Sequence, residues 1–413
     1  MSDKPHVPVQ LKELSLTSPK ISPEEVLQAI ALAIPSESIA SAIESTQSER
    51  QRNRKLPTHL VVALIIAMSL WSKDSIEDVL ANLVHGLSSQ WVRLSQRWKK
   101  PSKSSISEAR QQIGPQVMSQ LFHLVARPLA TEQTPGAFLN GLRLMAVDGT
   151  AFDLPDTDAN ARVFGYPGTR AGTQASFPKA RLVLLVEAGT HLITDASLSP
   201  YRMGERRKAL KLLRSVEPGM LLMWDRGLHS FKMVKATQER GSHFLGRVPK
   251  NVKFEVMKTF EDGSFLSWIA PDRKSKNKGA ERIPIRVIEY TIEEKGVEQT
   301  YRLITNLMNI TAFAALLLAQ EYHQRWEVEN TLDEFKTHLN GRKTPIRSKY
   351  PRGVVQEIYG WLLGHWAVRS LMFQAAQQQG LSPLRLGFTG TLRVVRRAMA
   401  QFQQSTPEEI PLF

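Results

Sequence analysis

Two short apolar runs, each leading directly into an aspartate, constrain the fold of this chain more than any other feature. Residues 142–147 are almost wholly apolar and precede Asp148, and residues 220–224 precede Asp225. A glycine follows each aspartate within two positions. Short apolar runs that end at glycine turns are typical of strands buried on both faces of a sheet. We therefore expect two strands that each hold a carboxylate at the carboxyl edge of an α/β sheet.

The segments around these two strands predict a ribonuclease-H-like α/β catalytic core. Residues 182–186 and 191–198 have the composition of two further strands. A helix, a strand, a second helix and another strand follow them. Three antiparallel strands followed by helix, strand, helix and strand is the order of that fold. From residue 251 to 307 apolar residues alternate with a period of two, which predicts an antiparallel strand-rich insertion.

Helical patterns precede this core and predict an all-helical N-terminal domain. A basic connector at 97–103 leads to two short predicted helices, 104–113 and 115–125, with Gly114 between them. This is a helix-turn-helix pattern that suits DNA binding, although plain helical packing fits it equally. The predicted organisation is a flexible arm (1–20), the helical N-terminal domain (21–135), the first part of the core (140–250), the insertion (251–307), the rest of the core (308–378) and a basic C-terminal helix and tail (379–413).

The charge of the chain favours a polyanionic partner. Lysine and arginine number 54 against 39 acidic residues, which gives a net charge of +15. Such an excess points first to nucleic acid and second to an anionic membrane surface. No cysteine is present, which excludes disulfides and cysteine-bound zinc and agrees with a reducing cytosol. The apolar run at 60–70 is too short to cross a bilayer, and the start of the chain has no signal-peptide pattern. We expect a soluble, intracellular protein with no membrane partner.

Residues 322–336 contain neither glycine nor proline and predict a helix with a charged face. Its period brings Tyr322, Arg325, Glu329 and Lys336 to one side. Donors and cations around one carboxylate suit an acid that holds a metal ion while its neighbours hold phosphate oxygens. A solvated helix face with ion pairs is the alternative.

Three acids, Asp148, Asp225 and Glu329, could then converge on one site. Their carboxylates would repel one another unless a cation neutralised them, and hard oxygen ligands favour Mg²⁺ or Mn²⁺. Two such ions about 3.5 to 4 Å apart can activate the attacking oxygen and stabilise the leaving oxygen of a phosphodiester. The pattern thus predicts phosphoryl transfer on nucleic acid.

Three motifs resemble those of the insertion sequence 4 family of DDE transposases. They are Val147-Asp148-Gly149-Thr150, the run from Leu222 to Gly227, and the Tyr-x2-Arg-x3-Glu-x6-Lys spacing that begins at Tyr322. The resemblance extends from about residue 20 to 375 and includes the N-terminal segment. The sequence departs from the family at Leu228-His229, where aromatic residues are usual.

The resemblance implies a cut-and-paste transposase, an enzyme of phosphodiester hydrolysis and transesterification. Asp148, Asp225 and Glu329 would be its catalytic and metal-binding triad, with two Mg²⁺ or Mn²⁺ ions as cofactors. Its partners would be double-stranded DNA, as the terminal inverted repeats of the element and the target, and a second copy of the chain in a homodimer on DNA. Its location would be the cytoplasm of a prokaryote, in association with the nucleoid.

The resemblance also implies a set of DNA-binding residues. Tyr322, Arg325 and Lys336 would hold phosphates near the end of the element. Trp268 is the one tryptophan of the predicted insertion, and a family tryptophan in that region stacks on a flipped base. A core role between strands is the alternative for Trp268.

Other interpretations and other acids remain open at this stage. The chain could be a domesticated ribonuclease-H-like nuclease, or a catalytically silent relic that binds DNA ends. Asp333 and Glu334 are rivals to Glu329 because they lie on the same predicted helix. His229 and His243 lack partners at metal spacing and are better explained as structural residues.

Overall fold

The computed structural model describes residues 31–50, 56–86, 100–168, 175–271, 281–294, 297–341 and 345–402 of the 413-residue chain. The predicted arm at 1–20, residues 97–99 of the basic connector and residues 403–413 of the C-terminal tail lie outside these residues.

Where the structure describes the N-terminal region, its helices include α1 (Ser36–Ser45), α2 (Thr58–Leu70), α3 (Ile76–Gly86), α4 (Lys103–Ile113) and α5 (Gln116–Val125). Helix α2 is apolar on every side and is buried along nearly its whole length. Ser102 caps α4 because its hydroxyl accepts a hydrogen bond from the Ser105 amide at 3.3 Å. The two short predicted helices are therefore present, separated by Gly114 and Pro115.

A single mixed sheet carries the site. Its strands are β1 (Phe138–Leu139), β2 (Leu142–Asp153), β3 (Lys179–Glu187), β4 (Leu192–Pro200), β5 (Met220–Trp224), β6 (His243–Arg247), β7 (Lys258–Thr259), β8 (Phe265–Ile269), β9 (Ile283–Glu294) and β10 (Val297–Thr305). The order is β4-β3-β2-β5-β6-β10-β9-β8-β7, with β1 beside β2. Strands β2, β3 and β4 are antiparallel, whereas β5 and β6 run parallel to β2. This is the predicted ribonuclease-H-like order.

The strand-rich block continues the core sheet. Strand β10 pairs antiparallel with β6, and Leu303 lies opposite Arg247. Strands β9, β8 and β7 then follow outward to the edge. At the start of the predicted strand-rich insertion, residues 251–257 form no strand, and β7 is only two residues long. The block is thus an extension of one sheet, and the domain limits drawn from the sequence remain predictions.

Helices cover both faces of the sheet. Helices α6 (Asp158–Phe164), α7 (Glu205–Leu212) and α8 (Phe231–Glu239) follow β2, β4 and β5. Met145 and Val147 of β2 point towards the side covered by α7 and α8, whereas Leu144 and Ala146 pack with the N-terminal helices. The long helix α11 (Pro351–Gln378) is buried against that second side and contacts α2 and α5. The N-terminal helices and the sheet therefore share a hydrophobic core.

Candidate active site

Asp148 and Asp225 lie side by side at the point where β5 ends. Val147 is paired in parallel with Trp224, so the next residue of each strand is an aspartate. The prediction that a strand ends at Asp148 is wrong, because β2 continues to Asp153. Strand β5 does end at Trp224, as predicted. The parallel pairing of the two strands explains why the two carboxylates are neighbours.

Backbone amides hold one oxygen of each aspartate. The Gly149 amide donates to Asp148 Oδ1 at 2.7 Å, and the Gly227 amide donates to Asp225 Oδ1 at 2.7 Å. Burial raises the pKa of Asp148 to about 6 against the effects of the Gly149 amide and Arg325, and the carboxylate of Asp225 adds to the rise. The two acids therefore share one electrostatic site, which suits a bound cation.

A tight contact behind β5 fixes the residue before Asp225. Trp224 is fully buried and stacks on Phe244, with ring centroids 5.3 Å apart. The indole lies over Gly246 so closely that a Cβ there would be 2.3 Å from Trp224 Nε1. Gly246 thus leaves the space that Trp224 occupies, and the backbone at Asp225 is held in place.

The predicted helix over 322–336 is interrupted at the site. Helix α9 (Ala315–His323) ends before a turn at Gln324 and Arg325, α10 (Trp326–Asp333) follows, and a π-helix (Glu334–Leu339) continues it. The interruption aims Arg325 at two acids. Its Nη1 lies 3.5 Å from Asp148 Oδ2, and its Nη2 donates to Glu329 Oε1 at 3.1 Å.

Tyr322 and Lys336 do not share the open face that the sequence predicted. Tyr322 is buried, and its hydroxyl donates to the Trp224 carbonyl at 3.3 Å, which ties α9 to the end of β5. Burial raises its pKa to about 12. Lys336 Nζ lies 5.7 Å from the centroid of Phe152, and Phe152 is roughly 14 Å beyond Asp148 along the strand.

Trp268 lies far from these acids. It sits on β8 opposite Pro284, and the Arg282 guanidinium lies 4.0 Å from its ring centroid. Strands β6, β10 and β9 separate β8 from β5, a distance of roughly 19 Å at 4.8 Å per strand. Base stacking by Trp268 stays a prediction.

Two residues near the site have no counterpart in the sequence interpretation. Trp326, at the start of α10, is 53% exposed and lies one turn before Glu329. Glu205, at the start of α7, places its carboxyl group against Gly149. The sequence signal for Glu205 is weak, since a glutamate in the first turn of a helix is common for reasons of charge alone.

Glu334 is held in a buried network behind the site. Arg369 Nε donates to Glu334 Oε2 at 2.8 Å, His191 Nδ1 lies 3.1 Å from Oε1, and His365 Nε2 lies 3.4 Å from Oε2. Burial alone would raise the pKa of Glu334, but these partners hold it below its usual value. His191 adopts a left-handed backbone conformation and also contacts Glu327 at 2.8 Å.

The network leaves Glu329 as the acid of this segment that points to Asp148. Glu334 is occupied by Arg369, and Asp333 pairs with His338 at 3.1 Å on the surface. Glu329 keeps a 42% exposed side chain and reaches Asp148 through Arg325. This arrangement favours Glu329 over its two rivals.

The carboxylates fit a divalent cation in their chemistry. Asp148 and Asp225 offer hard oxygen donors at the edge of the sheet. Within the ranges that the structure describes, no three acidic or histidine side chains stand close enough together to enclose an ion, and Arg325 lies between Asp148 and Glu329. The guanidinium therefore supplies positive charge to this part of the site.

A ribonuclease-H-like sheet that carries paired aspartates on adjacent parallel strands defines a class of metal-dependent enzymes of phosphoryl transfer. Two families match the chain. The family described as "Transposase DDE domain" matches residues 140–366, and the one described as "Insertion element 4 transposase N-terminal" matches residues 24–123. The chain belongs to the DDE transposases of the insertion element 4 type. It is an enzyme that cleaves and transfers DNA strands, and it depends on a divalent metal.

Two relatives from Escherichia coli agree with this assignment. The chain is 26% identical over 381 residues to "Transposase InsG for insertion sequence element IS4" of Escherichia coli strain K12, covering 91% of this chain and 83% of that protein. It is 25% identical over 246 residues to "Putative transposase InsZ" of the same strain, covering 59% and 79%. A cryo-EM structure of the piggyBac transposase synaptic complex with hairpin DNA aligns with a TM-score of 0.47 and 11% identity, over 94% of this chain and 82% of that one.

Among the helices that the structure describes, none is both long and apolar enough to cross a membrane.

Proposed function

We propose that this transposase moves an insertion sequence by cut-and-paste chemistry, with Asp148, Asp225 and Glu329 as its triad. The observation that carries the proposal is the pairing of Asp148 and Asp225 on adjacent parallel strands, with Arg325 bridging to Glu329. The cofactor is Mg²⁺ or Mn²⁺, with two ions at the site.

Each protein group has a part in the reaction. When bound, the two ions would polarise the attacking water or 3′ hydroxyl and stabilise the leaving oxygen. Asp148 and Asp225 hold their carboxylates rigidly, because strand pairing and glycine amides fix them. Arg325 exchanges its contact with Glu329 for a DNA phosphate, which frees the Glu329 carboxylate to turn towards the two aspartates. Tyr322 holds α9 against β5 while this exchange occurs.

A basic cavity supports a path for the DNA of the element end. A cavity of about 880 Å³ lies between the start of α4 and the segment before α11. Lys73, Lys103 and Lys349 line it and are exposed, and Pro155 forms part of its wall. Pro155 follows the end of β2, where Lys336 lies. DNA in this cavity would pass Lys336 on its way to Asp148, so Lys336 would hold a phosphate of the element away from the cut.

The working unit is a homodimer on double-stranded DNA. Excision requires two terminal inverted repeats to be cut together, so two copies of the chain must act at one time. The net charge of +15 supports a tight association with DNA. This association would place the enzyme in the cytosol of a prokaryote, at the nucleoid.

Cleavage of a labelled duplex that carries the terminal repeat of the element tests the triad. Wild type, Glu329→Gln and the control Asp333→Asn are compared with Mg²⁺ or Mn²⁺. The control lies on the same helix and pairs with His338 at the surface. We expect cutting at the repeat by wild type and by Asp333→Asn, and none by Glu329→Gln, with the DNA affinity of all three unchanged.

Two other functions predict different results. If the chain is a relic that only binds DNA ends, all three proteins would bind the terminal repeat and none of them would cut it. A domesticated nuclease would cut, but it would not join the released 3′ end to a second duplex. Cutting by Glu329→Gln at the wild-type rate would show that another acid completes the site.

A further inference from the structure

Glu205 reaches the active site from a segment that the triad does not include. It is the first residue of α7, directly after Gly204, and a short turn separates it from Pro200 at the end of β4. Its carboxyl group lies on the backbone of Gly149, because a Cβ at that position would be 2.1 Å from Glu205 Oε1 and 2.6 Å from its Cδ. The glycine that follows Asp148 therefore leaves the space into which the Glu205 carboxylate fits.

Arg181 sets the direction of this carboxylate. It lies on β3 opposite Ala151, and its Nη1 donates to Glu205 Oε2 at 3.1 Å. The other oxygen, Oε1, is the atom nearest to Gly149, and it accepts no hydrogen bond from the residues that the structure describes. One oxygen is thus anchored, and the other faces the strand that carries Asp148.

The side chains around the site carry a net negative charge. Four carboxylates belong to it: Asp148, Asp225, Glu329 and Glu205. Two guanidinium groups contact them, because Arg325 bridges Asp148 and Glu329 and Arg181 contacts Glu205. Among the described side chains, Asp225 forms no ion pair with a basic residue. Four carboxylates and two guanidinium groups leave a net negative charge when all are ionised, and Asp225 is the carboxylate without a guanidinium in contact. This negative charge favours the binding of divalent cations.

An ordinary ion pair would not need this arrangement. A glutamate in the first turn of a helix is stabilised by the helix dipole, and a partly exposed pair with an arginine adds little. Neither role requires a glycine at position 149 of β2. The absence of a side chain at position 149 is explained when the carboxylate must approach the backbone beside Asp148.

Resting on the proposed function, we propose that Glu205 is a fourth carboxylate of the metal site and holds one of the divalent ions together with Asp148. Arg181 is the positioning residue that keeps its free oxygen on the side of Gly149. The neighbouring carboxylates also influence one another, since burial raises the pKa of Glu205 and the charge of Asp225 adds to that rise. A bound cation would remove this repulsion.

Counting of bound Mn²⁺ tests this role without relying on catalysis. The full-length protein is bound to duplex DNA with the terminal repeat, and Mn²⁺ binding is measured by electron paramagnetic resonance. Wild type is compared with Glu205→Gln, with Gly149→Ala, and with the control Glu239→Gln. Glu239 is exposed at the far end of α8 and pairs only loosely with Lys235, at 3.9 Å.

We expect wild type and Glu239→Gln to bind Mn²⁺ equally. Glu205→Gln should weaken one ion about tenfold or more. Gly149→Ala should cause a similar loss, because the added methyl group displaces the same carboxylate. DNA affinity should be unchanged in Glu205→Gln, and this separates a lost metal ligand from a general loss of structure.

The possible failures are distinguishable. If Glu205→Gln binds Mn²⁺ as wild type does while Asp225→Asn loses it, the role of Glu205 is refuted and the triad stands. If wild type itself binds no Mn²⁺ in the DNA complex, the proposed metal site and the role of Glu205 are both refuted.

Discussion

The two halves of the active site are held in place by different kinds of interaction. Asp148 and Asp225 depend on the main chain, since parallel strand pairing and the glycine amides fix both carboxylates. Glu329 depends on side chains, because its segment is broken at Arg325 and anchored from behind through Glu334. A sheet edge gives a rigid position, whereas an anchored helix can change the direction of its carboxylate. The difference suits a site in which one acid must exchange Arg325 for a metal ion.

Arg369→Met should have the largest effect, because it breaks the anchor of the helical half. It leaves the Glu334 carboxylate buried without its guanidinium partner, which typically costs about 3 to 5 kcal/mol. Urea unfolding measures this loss. The control Arg385→Met removes an exposed arginine and should change the free energy of unfolding by less than about 0.5 kcal/mol. Equal stability of the two variants would show that the network does not anchor α10.

The sheet half should respond to pH through Asp148. Its pKa in the folded protein, about 6, lies above the ordinary value of 3.8. The protonated form is favoured on folding, so this contribution is fully present below pH 3.8 and is lost as the pH rises through 6. The difference corresponds to at most roughly 3 kcal/mol.

Urea unfolding without divalent ions, from pH 4 to pH 7.5, should therefore show wild type losing stability relative to Asp148→Asn. Addition of Mg²⁺ should restore the wild type above pH 6, where the carboxylate is ionised, and leave the variant unchanged. Parallel curves for the two proteins would mean that Asp148 does not experience the burial and repulsion described above.

Gly246→Ala should disturb the sheet half by crowding. The added methyl group meets the Trp224 indole at 2.3 Å, and overpacking of this kind costs about 1 to 3 kcal/mol. It should also weaken Mn²⁺ binding, because the backbone before Asp225 moves. Gly387→Ala is the matched control, since a Cβ there meets no atom within 4 Å. Unchanged stability and Mn²⁺ affinity in Gly246→Ala would refute this support for Asp225.

Substitution of the two tryptophans should give the smallest effect, and it should show whether Trp326 or Trp268 stacks on a flipped base. Trp326 is exposed beside Arg325, whereas Trp268 lies on β8 under the Arg282 guanidinium. Loss of one stacked base costs ~1 kcal/mol or more. We expect Trp326→Ala to weaken binding of a terminal-repeat duplex about fivefold or more, and Trp268→Ala to weaken it less. The reverse order would support the interpretation of Trp268 taken from the family.

The sequence predicted most of the sheet half and less of the helical half. Apolar runs identify β2 and β5, and the order of elements predicts the strand order, because both depend on local composition. The strand end expected at Asp148 was wrong because β2 stays paired with β3 as far as Asp153. The break at Arg325 and the anchor of Glu334 depend on His191 and Arg369, which are distant in the chain, so no helical period could reveal them.

Glu205 shows a second limit of the same kind. Its role depends on the space beside Gly149, and that space exists only when α7 packs against β2 and β3. The sequence shows a glycine after Asp148 but gives no sign of what occupies its place.

The most direct test of the central claim is a change of metal preference at Asp225. The chain contains no cysteine, so Asp225→Cys introduces a single thiol at the site. A thiolate is a poor ligand for Mg²⁺ and a better one for Mn²⁺. We predict that wild type cuts the terminal-repeat duplex with either ion, and that Asp225→Cys binds the duplex but cuts it only with Mn²⁺. Cutting by Asp225→Cys in Mg²⁺ at the wild-type rate would contradict the assignment of Asp225 as a metal ligand.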